Sequence, residues 1–384
     1  MILRKLKKFC INIVGFFFFW NKNIRRFVKD FLTDFSLQSF NCMLKFKKNK
    51  IRNNSVLLIE INNCHGEVIS GYIKYFEKLG FNVDCLLHID FYKENPFVRL
   101  DMSNVHCFYC NRIDLTQCLK YKFLSGYKHI VVMSSTCYCG KNWRGVLDMM
   151  SDLRKHPSLY IVEHELNCIE PQNETDLLKN NRVIVLGKFD RGVFVNPCRF
   201  GDIKITKLNK IPTFITVGGI AAFRKNHAEL INAIQELVKQ KLKFKVVIIG
   251  RGELNNLPDE IKPYIEITGR LKFPEMFEQM EKADFFLPLL DPENPDHNRY
   301  ITTGVTGSAQ LIYAFEKIPV IHKKFADFYR FDNKNAIVFD KDLATAMAKA
   351  ISLSSPEYNK LQSELHNTKQ EIICESEKNL KGIL

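Results

Sequence analysis

The sequence predicts an α/β protein of two consecutive doubly wound domains, each built on a parallel sheet. Three observations predict it. From Ser55 onward, short apolar runs alternate with stretches of helical spacing, the pattern of βαβ units. The alternation restarts after the breaker Asn196-Pro197. The length, 384 residues, suits two domains of roughly 150–200 each.

In chain order, Ser55-Val-Leu-Leu-Ile-Glu-Ile61 is a continuous apolar run, as expected of a strand covered on both faces. Val68, Ile69, Tyr72, Ile73, Phe76 and Leu79 follow at helical spacing, and Gly80 ends that helix before a second strand, 81–87. Further strands are expected at 129–133, 159–163 and 183–186. The second cycle places strands at 213–217, 244–249, 265–268, 284–287, 319–322 and 336–339. Its helices fall near 225–240, 274–282, 308–317 and 343–353, and a polar helical tail follows Pro356. The expected organisation is therefore an extension (1–52), an N-terminal domain (53–200), a C-terminal domain (201–355) and a closing helix (356–384).

Composition excludes several classes. Hydrophobic residues make up 46% and charged residues 26%, so the chain is neither disordered nor fibrous. The longest apolar stretch, Phe9 to Trp20, is shorter than the ~18–20 residues of a spanning helix. No small-residue cleavage site follows it, so it does not read as a secretory signal. The twelve cysteines are too sparse and irregular for a disulfide scaffold, and Cys107/Cys110 and Cys137/Cys139 read as reduced thiols rather than a metal site. A reducing, cytoplasmic setting follows.

Charge is unevenly spread. The net charge is +14, and residues 1–52 hold thirteen Lys/Arg against Asp30 and Asp34, leaving +3 for the rest. Ten of the 31 Phe lie in the same segment, with Phe27, Phe31 and Phe35 on one helical face. Aromatic rings beside clustered cations suit an anionic membrane surface; the alternative is packing on the protein's own body. No nucleic-acid-binding motif accompanies the charge.

The candidate ligand loops sit at strand ends of the second domain. Thr302-Thr-Gly-Val-Thr-Gly-Ser308 runs into a helix, and hydroxyls and glycines at a helix start can hold a phosphate. Thr303, Thr306, Gly307 and Ser308 are the candidates there. Gly218 and Gly219 end a strand, and Arg224 and Lys225 precede the next helix, a cationic loop suited to a diphosphate. Gly250-Arg251 and Arg270 repeat the pattern after the next two strands. In the first domain, His65 and Glu67 lie where a strand meets a helix start, and His164 ends another strand on the same edge. Histidine suits proton transfer near neutrality. Asp291, Glu293, Asp296 and His297 read as a solvated acidic loop.

These motifs in this order resemble the GT-B glycosyltransferases, across roughly residues 55–355. The loop Val217 to Asn226, the turn Gly250-Arg-Gly252, the glycine-rich helix start and the strand Pro319-Val-Ile321 resemble their nucleotide-binding domain. Tyr300 to Tyr329, the segment around His65-Gly-Glu67, and Val195-Asn-Pro197 are similar to bacterial enzymes of surface-polysaccharide (capsule or lipopolysaccharide) assembly. The resemblance implies two Rossmann-like domains facing each other across a cleft. It also implies a nucleotide-sugar donor, a glycan or lipid-linked glycan acceptor, no metal or other cofactor, and work on the inner face of the membrane. His65, Glu67 or His164 would be the base. Many retaining members carry two Glu eight positions apart, and by spacing from Pro319 those positions hold Gly304 and Ile312, with Gln310 and Glu316 as nearby polar substitutes. That departure keeps open a non-catalytic glycan- or partner-binding subunit, and the shared architecture leaves a nucleotide-sugar epimerase as a second alternative.

Overall fold

A computed structural model describes residues 37–139, 142–149, 151–171, 174–220, 225–254 and 257–384. The stripe Phe27, Phe31, Phe35 lies outside them.

The N-terminal sheet contains β1 (Ser55–Glu60), β2 (Asn82–His88), β3 (His106–Cys110), β4 (His129–Val132), β7 (Leu159–Glu163), β8 (Val183–Val185) and β9 (Val193–Phe194). All its pairings are parallel, in the order β3-β2-β1-β4-β7-β8-β9. A separate hairpin, β5 (Thr136–Cys139) with β6 (Asn142–Gly145), projects after β4. The second sheet runs β12-β11-β10-β13-β14-β15, again parallel throughout. Its strands are β10 (Thr213–Val217), β11 (Lys245–Ile249), β12 (Ile265–Gly269), β13 (Phe285–Phe286), β14 (Ile318–His322) and β15 (Ile337–Phe339). Strand order reverses between β1 and β4, and again between β10 and β13. Crevices for ligands open at the carboxyl ends of strands at such reversals. Two doubly wound α/β domains are thus present, as the sequence predicts.

Apolar runs became strands because they are covered on both faces; every residue of β1, β4, β7 and β14 is buried. Strands β3, β5, β6 and β9 are not among the strands expected from the sequence. Strand β3 is only partly buried, and β9 is two residues long, so neither carries a continuous apolar run. Cys107 and Cys110 within β3 pack into cores on opposite faces of the sheet, so they cannot share one ion. The expected acidic loop instead opens a helix, Pro295–Thr302. Asn294 caps it, and the fully buried His297 accepts the Asp291 N–H at 2.7 Å through Nδ1.

The expected extension also divides differently. Helix α1 (Leu37–Lys47) buries Met43 and Phe46 in the N-terminal core, with the Phe46 ring edge-on to Phe108 at 5.2 Å. Residues 37–52 therefore belong to the body. At the other end, helix α8 (Ser355–Ile383) crosses both domains. Glu316 of the second domain holds it through Lys369 and His366, each at 2.9 Å. Its Glu377 pairs with Lys78 of the first domain at 2.6 Å, and its Ser376 Oγ accepts the Asn196 N–H at 2.9 Å. The domains share one continuous apolar cluster reaching from β1 to α8.

One buried group makes the fold acid-sensitive. His129 is 2% exposed between Phe81 and Tyr160, and neither ring nitrogen has a hydrogen-bond partner among the described residues. Burial first, then Lys128 and His156, pushes its pKa down to about 4. An unfolded histidine binds its proton below about 6.5, so the unfolded chain holds more protons between those values. Stability present above about 6.5 is lost as pH falls toward 4. Thermal unfolding of the wild type and His129→Phe at pH 7 and pH 4.5 should show the variant losing less on acidification, by on the order of 2 kcal/mol.

Candidate functional site

The second-domain loops converge at the carboxyl end of their sheet. After β10, Gly218 adopts φ 139°, and its N–H donates to the Ile249 carbonyl at 2.8 Å. A Cβ on Gly250 would lie 1.7 Å from the Gly218 oxygen, so only glycine allows the two loops to touch. Ile220 N–H donates to the Arg251 carbonyl at 2.8 Å, and Gly250 N–H to the Gly269 carbonyl at 3.0 Å. The loops after β10, β11 and β12 are thus laced into one floor by backbone bonds.

Lys225 stands over that floor. It precedes helix α3 (His227–Lys239), whose first turn is capped by Asn226. Its side chain passes against Gly218, and its Nζ donates to the Pro288 carbonyl at 2.8 Å and lies 3.5 Å from Ser308 Oγ. Lys225 is 6% exposed, and burial pushes its pKa down to about 7. An ammonium so desolvated gains most from an arriving anion, and such perturbed groups cluster at functional sites.

Ser308 belongs to helix α6 (Gly307–Phe315). Thr306 caps it, its Oγ1 accepting the Ser308 N–H at 3.3 Å, while its own N–H donates to Tyr329 Oη at 3.1 Å. Gly307 is exposed, with nothing within 4 Å of where a Cβ would stand. Thr303 Oγ1 and Gln310 Nε2 are buried without a partner among the described residues. Lys225, Gly218 and Ser308, predicted from three separate stretches, are therefore neighbours. Gly219 and the exposed Arg251 border them. Arg270 reaches instead across the cleft to Glu94, at 3.2 Å, and Arg224 lies outside the described residues. Ile312, one of the two positions given by spacing, is core, and the polar substitute Glu316 is committed to α8.

The first-domain candidates also come together. His65 precedes helix α2 (Gly66–Lys78) in the left-handed conformation, φ 62°, which is uncommon away from glycine. Its exposed ring stacks on His164 with centroids 4.6 Å apart. His164 Nε2 lies 2.9 Å from the Met133 carbonyl. A carbonyl only accepts, so Nε2 carries the hydrogen and Nδ1 the lone pair. Burial, then His65, pushes the His164 pKa down to about 3, so the ring is neutral. Glu67 is half-buried, and desolvation raises its pKa.

Three carboxylates stand at this edge; Glu163 belongs to the Glu163-His164 pair that the sequence offers as an alternative base, while Glu60 and Glu165 are not among the expected site residues. Glu60 is fully buried, accepts the Asn62 N–H at 2.7 Å and the Ser134 hydroxyl at 2.6 Å, and is pushed up to about 7 by burial. It ties the loop bearing His65 to the loop after β4. Glu163 is buried at the end of β7 with its pKa raised by desolvation. Both are acids closing an apolar strand, a signal readable in sequence. Glu165 carries no such signal.

The two sets of residues meet. Glu165 forms an antiparallel bridge with Gly304, and Leu166 N–H donates to the Thr303 carbonyl at 2.6 Å. The histidine pair thus sits directly beside the loop that leads into α6.

The chain is similar in part to known proteins. Residues 211–353, the bulk of the second domain, match the family described as "Glycosyl transferases group 1". No curated protein matches the chain at a significant level. Among solved structures, the chain is similar to WaaG, a glycosyltransferase involved in lipopolysaccharide biosynthesis (9% identity, 84% of this chain and 98% of that one, TM-score 0.45). It is also similar to sucrose-phosphate synthase from Thermosynechococcus elongatus (12%, 86% and 96%, 0.47). A third is an alpha-glucosyltransferase in complex with UDP and a 13-mer DNA (14%, 84% and 100%, 0.48).

Proposed function

We propose that the protein is a glycosyltransferase that moves a sugar from a nucleotide-sugar donor in the second domain to a hydroxyl presented by the first. The observation that carries this reading is the backbone bridge Glu165–Gly304, which sets His65 and His164 against the loop entering α6. The family match over residues 211–353 supports it independently.

In this reading the donor diphosphate lies on the glycine floor, with Lys225 and the N–H groups at the start of α6 meeting its charge. The sugar–phosphate bond breaks, the acceptor oxygen bonds the sugar carbon, and the diphosphate departs with the electron pair. Lys225 and the helix dipole stabilise that departing charge in place of a metal. The acceptor proton passes to His65, the member of the stacked pair open to water. His164, held neutral, fixes the orientation of the His65 ring. Glu67, half-buried at the start of α2, assists.

We further propose a glycan acceptor, lipid-linked and belonging to surface-polysaccharide synthesis, with a hexose as the transferred sugar. Residues 1–36 support this through eight Lys/Arg against two Asp, beside eight Phe. No described helix is long and apolar enough to cross a membrane. Residues 1–36 would instead lay basic and aromatic side chains on the anionic inner face, each Lys/Arg contributing about 1 kcal/mol.

Calorimetry with UDP, ADP and GDP tests the donor pocket. The wild type should bind at least one of them, in EDTA as well as with Mg²⁺, and Lys225→Ala should weaken that binding by ~1.5–3 kcal/mol. Binding restores the Lys225 charge, so it takes up a proton above about pH 7 and affinity should fall with rising pH, by at most about tenfold per unit. Unchanged affinity in a folded Lys225→Ala protein would sink the assignment.

The base is tested by turnover. His65→Ala should lower kcat by roughly 10²–10⁴ with diphosphate affinity intact. A loss on Glu67→Gln but not on His65→Ala would transfer the role to Glu67.

The membrane contact is tested by sedimentation with vesicles containing anionic lipid. Full-length protein should pellet at low salt and less so at high salt. A chain starting at Leu37, which keeps the packed helix α1, should stay in solution. Equal behaviour of the two would remove the membrane claim.

A further inference from the structure

We propose that Glu165, a first-domain residue, binds a hydroxyl of the donor's sugar across the cleft and thereby selects a neutral sugar. The inference rests on the donor pocket proposed above and adds the part of the donor that pocket leaves unassigned.

The first observation is spatial. A Cβ on Gly304 would lie 2.7 Å from Glu165 Oε2 and 3.3 Å from its Cδ. Gly304 is not among the glycines of positive φ, so the position uses the missing side chain rather than glycine's backbone freedom. The space that a side chain at 304 would fill is occupied by a carboxylate from the other domain.

The second observation concerns hydrogen bonding. Glu165 Oε1 is buried with no partner among the described residues, and Oε2 has only Arg299 Nε, at 3.7 Å, beyond hydrogen-bond reach. Buried carboxylate oxygens are almost always satisfied, so one left open at a ligand loop marks a place for a donor group. Thr303 Oγ1, next to Gly304, and Gln310 Nε2, in the first turn of α6, are buried and unpartnered among the described residues too. Unsatisfied polar atoms thus occur on the Glu165 side chain, on the loop opposite it and in the first turn of α6. Stability alone would disfavour that arrangement.

The third step is chemical. Ser308 and Lys225 would hold the diphosphate, and the sugar is bonded directly to its outer phosphate. The groups next along the loop from the phosphate site, Thr303 and Gly304 with Glu165 above it, are those the sugar meets. Its hydroxyls donate to carboxylates, and recognition by a buried acceptor discriminates strongly against an analogue lacking the donor. A sugar carrying its own carboxylate would set like charges together at Glu165 and be rejected.

The test compares the diphosphate with its sugar ester on the full chain. UDP, ADP and GDP are titrated by calorimetry alongside UDP-glucose, ADP-glucose, GDP-mannose and the acidic UDP-glucuronate. Glu165→Gln should leave diphosphate affinity within about twofold and weaken the neutral sugar nucleotide about tenfold or more, raising KM more than it lowers kcat. Wild type should bind UDP-glucuronate more weakly than UDP-glucose if it takes uridine donors. In the double variant Glu165→Ala/Gly304→Glu, a carboxylate supplied from the opposite strand should recover part of the lost sugar affinity. Equal weakening of diphosphate and sugar ester by Glu165→Gln, or of neither, overturns the inference and makes Glu165 a domain tie. If the wild type binds no diphosphate at all, the donor-pocket reading itself has failed.

Discussion

Two backbone segments from opposite domains meet, Leu166 N–H donating to the Thr303 carbonyl and Glu165 lying opposite Gly304 in an antiparallel bridge, and the arrangement of the cleft depends on that contact. Each parallel sheet could build its own crevice where its strand order reverses. Neither crevice alone brings the His65–His164 pair to the loop entering α6. Joined at 165 and 304, they place the His65–His164 stack one residue from the loop that enters α6. Helix α8 holds the pairing from outside, through Glu316 on one domain and Glu377 on the other. Arg99 adds a bidentate tie to Glu281 at 2.9 and 3.0 Å. The joint is therefore clamped at several points around the cleft.

Desolvation is the common electrostatic theme at that joint. Lys225 is pushed down to about 7, His164 to about 3 and Glu60 up to about 7, in each case chiefly by burial. Every one of these shifts disfavours the charged form, which is stability given up in the ligand-free protein. Surface ion pairs elsewhere, such as Lys239–Glu236, contribute little by comparison. Concentrating poorly solvated polar groups at one place suits a site whose charges are completed by a ligand.

Much of this was legible in the sequence, for a physical reason. Strands covered on both faces leave long apolar runs, so β1, β7 and β10 were found to within a residue or so, and with them the loops at their ends. Those loops carried Gly218, Lys225 and Ser308, which meet because parallel strands all end on one edge. What sequence hid was whatever depends on contact across the cleft. Arg270 looked like a phosphate ligand and is paired with Glu94; Glu316 looked like a spare carboxylate and anchors α8. Glu165 bore no pattern, because its placement depends on a glycine far along the chain. Helix α1 was hidden inside a basic, aromatic segment whose composition pointed outward while Met43 and Phe46 point inward.

The most direct measurement is diphosphate release from nucleotide sugars by purified full-length protein. Incubated with UDP-, ADP- and GDP-sugars without acceptor, the wild type should liberate diphosphate from one of them slowly by transfer to water. Lys225→Ala should abolish that release. Tight binding of a nucleotide sugar with no release, even when glycan acceptors are added, would contradict a transferase and leave a binding subunit with the same fold.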